Sequence, residues 1–141
     1  MEYVKKTSRL GFTLTELLVA IAILGVLGAV VVPALWNYYK GAQKTATIQS
    51  IKALKQSINM YKIHTNKYPG RLRDLVKKPR DPEVAAKWME GGYLKKEPKD
   101  GWGNSFVYKP VRDGNNPYTL YSYGSNGRGA PKKEWINAWN V

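Results

Sequence analysis

Between Leu17 and Leu35 the chain reads LLVAIAILGVLGAVVVPAL, with no charged side chain. At about 1.5 Å of rise per residue, a helix over this run nearly spans a hydrocarbon core roughly 30 Å thick. A cleaved secretory signal would show about 7 to 15 apolar residues and then a small-residue cleavage site. This run is longer and continues into Trp36, Asn37, Tyr38, Tyr39 and Lys40 without an A-x-A-like site. A fully buried core helix is the other alternative, and a retained membrane helix is the preferred reading. Lys5, Lys6 and Arg9 precede the run, so the positive-inside rule places the N-terminus in the cytoplasm and everything after Tyr39 on the outer side.

Glu16 breaks the apolar pattern at its leading edge. A carboxylate entering lipid costs a few kcal/mol unless it is paired. Interaction with the positive end of a helix dipole returns only about 0.3 to 1 kcal/mol, too little to offset that cost. Glu16 is therefore a candidate functional residue.

With 141 residues, the chain suits one small domain plus an accessory segment. Its formal charge of +13 points to contact with anionic lipid, nucleic acid or acidic protein, without choosing among them. The absence of Cys excludes disulfides, thiolate metal sites and a Cys nucleophile, and the single histidine, His64, argues against a histidine metal cluster or a Ser-His pair. There is no Gly-rich phosphate loop or nucleophile motif, and Glu97 and Asp100 beside Pro98 and Gly101 read as turn residues. The chain reads as a non-enzyme that needs no cofactor.

Beyond the apolar run, Ile48, Ile51, Leu54, Ile58 and Tyr61 recur at helical spacing among lysines, which predicts an amphipathic continuation of one helix from about Thr13 to Ile63. It should end near Asn66, before Tyr68-Pro69-Gly70. Short helices are expected over Leu72 to Val76 and Pro82 to Met89, the second opening after Asp81 and stopped by Gly91-Gly92. Ser105 to Lys109 and Tyr118 to Tyr123 read as an antiparallel hairpin around the turn Asp113-Gly114-Asn115-Asn116, its apolar face on the long helix. The fold class is α+β. Its segments are 1–11 a leader, 12–39 the membrane half of the helix, 40–66 the amphipathic half and 67–141 a globular head.

The stretch RLGFTLTELLVAIAILGVLGAVVVP resembles the type IV prepilin signature. The resemblance implies a pilin fold, cleavage between Gly11 and Phe12 by prepilin peptidase on the cytoplasmic face, and N-methylation of Phe12. It also implies that Glu16 neutralises the terminal amine of Phe12 on a neighbouring subunit, so that two groups costly in lipid become tolerable together. Gly25, Gly28 and Pro33 fall where that family carries helix-weakening residues, and a proline removes a backbone donor.

In the head, Tyr68-Pro69, Gly91-Gly92-Tyr93-Leu94-Lys95-Lys96, Pro98-Lys99-Asp100, Trp102-Gly103-Asn104 and Tyr121-Ser122-Tyr123-Gly124 resemble the major pseudopilins of type II secretion systems in order and spacing. This implies a homo-oligomeric filament on the bacterial inner membrane, with a periplasmic head, that works with minor pseudopilins and an inner-membrane secretion platform to export proteins. The same family carries a calcium loop near its C-terminus. Here Asn126 replaces its first acid, Lys132 and Lys133 stand where carboxylates are expected, and Glu134 is the acidic side chain that remains. Calcium takes six to eight oxygen ligands, so this donor set argues against it; a lysine ammonium near Glu134, or loop carbonyls, would stabilise the loop instead. The rival function is a type IV pilin for adhesion or DNA uptake, motivated by positive charge interleaved with Trp88, Trp102, Trp135 and Trp139. Most of these aromatics sit in segments that read as core or turn, which argues against nucleic-acid binding.

Overall fold

A computed structural model describes residues 11–111 and 114–141. The basic leader residues Lys5, Lys6 and Arg9, and Asp113 of the expected turn, lie outside the described residues. The chain divides into two compact units, one ending at Tyr39 and the other covering Lys40–Val141. Helix α1, Leu14–Thr65, contributes to both.

In the second unit, α1 buries Thr47, Ile51, Leu54, Ser57, Ile58, Tyr61 and Thr65, which recur every three or four residues apart from the adjacent Ser57 and Ile58 and so share one face. The helix ends because Asn66 adopts a left-handed conformation, φ 59°, which short polar side chains tolerate. Leu72–Leu75 forms a 3₁₀ turn, and α2, Pro82–Lys87, starts as expected, with Asp81 Oδ1 accepting from the N–H of Glu83 at 3.0 Å. Sequence reading carries α2 to Met89, two residues too far. Trp88 is extended at ψ 133°, and its indole N–H donates to the Asp74 carbonyl at 2.8 Å, a tertiary bond that stops the helix before Gly91-Gly92.

The sheet holds three antiparallel strands in the order β1, Val107–Lys109; β2, Thr119–Ser122; β3, Ile136–Asn137. Both predicted strands form, each shorter than expected. β3 is the correction: two residues carry no periodicity, and its pairing Ser122↔Ile136 exists only once the C-terminal loop returns to β2. On β2, Leu120 and Ser122 face inward and Tyr121 faces the other way. The core joins Ile51, Leu54 and Ile58 of α1 to Leu75, Tyr118, Leu120 and Ile136. Tyr118 lies at its centre, with ring centroids 5.5 Å from Tyr68, 5.7 Å from Tyr108 and 5.0 Å from Trp139.

Asp100 ties a loop to this core. Its Oδ1 accepts from the N–H of Trp102 at 3.0 Å and of Asn104 at 2.8 Å, and Oδ2 accepts from Ser122 Oγ at 2.6 Å. The next N–H, of Gly101, donates to Thr47 Oγ1 at 2.8 Å, which fastens the loop to α1.

Candidate functional site

Helix α1 begins with a reciprocal pair. The N–H of Thr13 donates to Glu16 Oε2 at 2.9 Å, and the N–H of Glu16 donates to Thr13 Oγ1 at 3.2 Å. This capping box satisfies two donors that a helix start leaves without intrahelical partners. Its signature, Thr13-Leu14-Thr15-Glu16, is legible in the sequence, and an argument from charge alone misses it. A carboxylate offers about four acceptor sites, so Glu16 keeps capacity for an ammonium group after serving Thr13. Gly11 and Phe12 precede the cap, and the Phe12 side chain is 91% exposed.

Downstream of the cap the apolar helix is bare. Its most hydropathic window has none of its residues buried within the chain. A core helix would have covered side chains, so that alternative falls, and the segment is an anchor that requires lipid or other chains around it. A Cβ added at Gly25 or Gly28 would meet nothing within 4 Å, so neither glycine answers a packing need inside the chain. The helix runs on through Pro33, which leaves the carbonyl of Ala29 without its usual N–H partner. Trp36, Tyr38 and Tyr39 then supply the aromatic residues that favour a membrane–water interface.

In the C-terminal loop, Asn126 Nδ2 donates to Glu134 Oε2 at 2.6 Å. Among the described residues, neither Lys132 nor Lys133 forms an ion pair with Glu134, so the expected ammonium is replaced by an amide. Trp135 secures the same loop: its ring stacks on Tyr121 at 4.3 Å with an interplanar angle of 1°, and its indole N–H donates to the Ala130 carbonyl at 2.8 Å. Among the described residues no group of three or more His, Cys, Asp or Glu side chains is placed to hold a metal ion. Asn126 and Glu134, the weak metal candidates of a loop whose donor set argues against calcium, come together as partners of each other.

A family model for "Type II secretion system, protein G" matches residues 34–139. The chain belongs to this family. A second model, for the prokaryotic N-terminal methylation motif, matches residues 6–32. Relatives named type II secretion system core protein G occur in Pseudomonas aeruginosa, 39% identical over 92% of this chain and 94% of that protein, and in Escherichia coli, 40% identical over 93% and 91%. One in Vibrio cholerae is 37% identical over 97% and 96%. The crystal structure of the major pseudopilin from the type 2 secretion system of enterohaemorrhagic Escherichia coli aligns with a TM-score of 0.63 at 26% identity, covering 79% of this chain and 99% of that one.

As a type II secretion pseudopilin, the chain is a membrane-anchored filament subunit with a prepilin peptidase motif, and its family is structural. Several polar side chains of the head are bonded within it. Asp100 holds its loop, and the indole N–H groups of Trp88, Trp135 and Trp139 donate to the carbonyls of Asp74, Ala130 and Tyr118. His64 Nδ1 lies 3.2 Å from the Tyr93 hydroxyl on the surface.

Proposed function

We propose that this pseudopilin polymerises on the inner membrane, with its N-terminus cytoplasmic and its head periplasmic, into a filament that pushes folded proteins toward an outer-membrane channel. Cleavage after Gly11 frees the amine of Phe12, which is then methylated. When a subunit docks, its Phe12 amine meets Glu16 of a neighbour, and the pair enters the apolar bundle as one neutralised unit. Gly25, Gly28 and Pro33 let the helix loosen as the bundle forms. Minor pseudopilins and the secretion platform are its partners, and it performs no catalysis. The observation that carries this reading is a capped carboxylate at the mouth of an apolar helix whose side chains the chain itself leaves uncovered.

The test pairs two measurements. Coexpression with prepilin peptidase should remove residues 1–11 and add a methyl group to Phe12 by mass. Glu16→Ala should be processed normally yet assemble no filaments; wild-type filament yield from this variant would remove the role assigned to Glu16.

The C-terminal loop is proposed to close without calcium, because its donor set holds one acidic side chain and that carboxylate is bonded to Asn126. Adding calcium or a chelator should leave the melting temperature unchanged, and a large calcium-dependent rise would overturn this reading.

A further inference from the structure

We propose that a basic cleft beside the Leu72–Leu75 turn docks an acidic peptide segment of a partner protein. The cleft, of about 370 Å³, is lined by Arg71, Arg73, Lys77, Lys78 and Arg80 around Asp74. The Asp74 carboxylate is committed, accepting from the backbone N–H of Arg71 at 3.1 Å and from its Nε at 3.3 Å. Arg73, Lys77, Lys78 and Arg80 are exposed, and among the described residues none of them is ion-paired.

The base under these cations is fixed. Leu72 and Leu75 are buried, and the Arg73 carbonyl accepts from the N–H groups of Val76 and Lys77 at 3.0 and 2.9 Å. The Leu75 carbonyl accepts from Tyr93 and Leu94, and the Asp74 carbonyl from the Trp88 indole. Four cations are thus held close together on a rigid floor, where each repels the others until an anion is supplied. A preorganised basic hollow loses little freedom when such a ligand arrives.

The occupant follows from what lines the cleft. Guanidinium forks match carboxylates in bidentate geometry. Among the described residues no aromatic ring lines the cleft, so they offer no stacking platform for single-stranded nucleic acid. Residues 71–80 expose no large apolar side chain to enter a lipid surface. A second copy carries 10 acidic against 23 basic side chains, so it is a poorer counter-charge for this cleft than an acidic peptide. The proposal stands apart from filament assembly, because a single subunit displays the whole cleft.

The experiment uses the full chain in uncharged detergent micelles and a fluorescent oligo-aspartate peptide, read by anisotropy. Binding should weaken with added salt. The triple variant Arg73→Gln, Lys77→Gln, Arg80→Gln should bind about tenfold more weakly with an unchanged melting temperature. Should that variant unfold, the pair Lys78→Gln, Arg80→Gln, which lies off the 3₁₀ turn, should still weaken binding. A control that removes equal charge elsewhere, Lys52→Gln, Lys87→Gln, Lys96→Gln, should retain affinity; an equal loss there would show diffuse charge attraction and overturn the cleft. Stronger displacement of the peptide by a single-stranded oligonucleotide or by phosphatidylglycerol vesicles than by unlabelled oligo-aspartate would overturn the acidic-protein occupant.

Discussion

Gly101→Ala should destabilise the head more than an exchange of hydrogen for methyl suggests. A Cβ at Gly101 would stand 2.7 Å from the carbonyl carbon and 2.8 Å from the Cα of Gln43, closer than real Cβ atoms approach. The obstacle is the backbone of α1, which cannot rotate aside as a flexible side chain can. Overpacking of this kind costs about 1–3 kcal/mol. Lifting the loop also stretches the bond from the Gly101 N–H to Thr47 Oγ1, worth about 1 kcal/mol. The sum is ~2–4 kcal/mol, and for a domain near this size each kcal/mol moves the melting temperature by roughly 4–8 °C. Thermal unfolding of the full chain in micelles, followed by near-ultraviolet circular dichroism, should therefore show a fall of about 8–32 °C. Thr47→Val removes the bond from the Gly101 N–H, together with the one Thr47 Oγ1 donates to the Gln43 carbonyl at 2.8 Å, without the clash, and should lose about 1–3 kcal/mol. A Gly101→Ala protein melting within about 2 °C of wild type would refute the close approach of loop and helix, since even 1 kcal/mol should move it further.

Alkaline titration tests the tyrosine core. Burial, with smaller contributions from neighbouring groups, pushes Tyr61 and Tyr118 from 10.0 up to about 12, so the folded state favours their neutral form. That stabilisation is complete below pH 10.0 and is lost as the pH rises through about 12, on the order of 2–3 kcal/mol for each residue. Tyrosinate absorbance from these two should rise together with loss of ellipticity, and their ionisation near pH 10 in an intact fold would contradict this. Thr13→Ala should cost the start of α1 about 0.5–2 kcal/mol and speed hydrogen exchange at the Glu16 amide; unchanged exchange would contradict the capping box. Asn126→Ala should cost about 1 kcal/mol by loosening the C-terminal loop, with Glu134→Gln costing less because its amide oxygen still accepts; equal losses would show that charge, not the hydrogen bond, holds the loop.

The sequence by itself determined the uncharged run, the carboxylate at its edge, the stripe from Ile48 to Tyr61, the end of α1 at Asn66 and the cap at Asp81. Each is a local property, in which composition, helical period or backbone preference acts between residues a few positions apart. Only the tertiary structure decided the pairing of β3 with β2, the seat of Gly101 on Gln43 and Thr47, the three bonds to Asp100, the engagement of Glu134 by Asn126 and the hollow enclosed by Arg71 to Arg80. The pairing of β3, the seat of Gly101 and the bond from Ser122 to Asp100 join residues far apart in the chain. Strand pairing and close approach carry no periodic trace, because loop closure brings the partners together and burial of the shared core around Tyr118 then holds them.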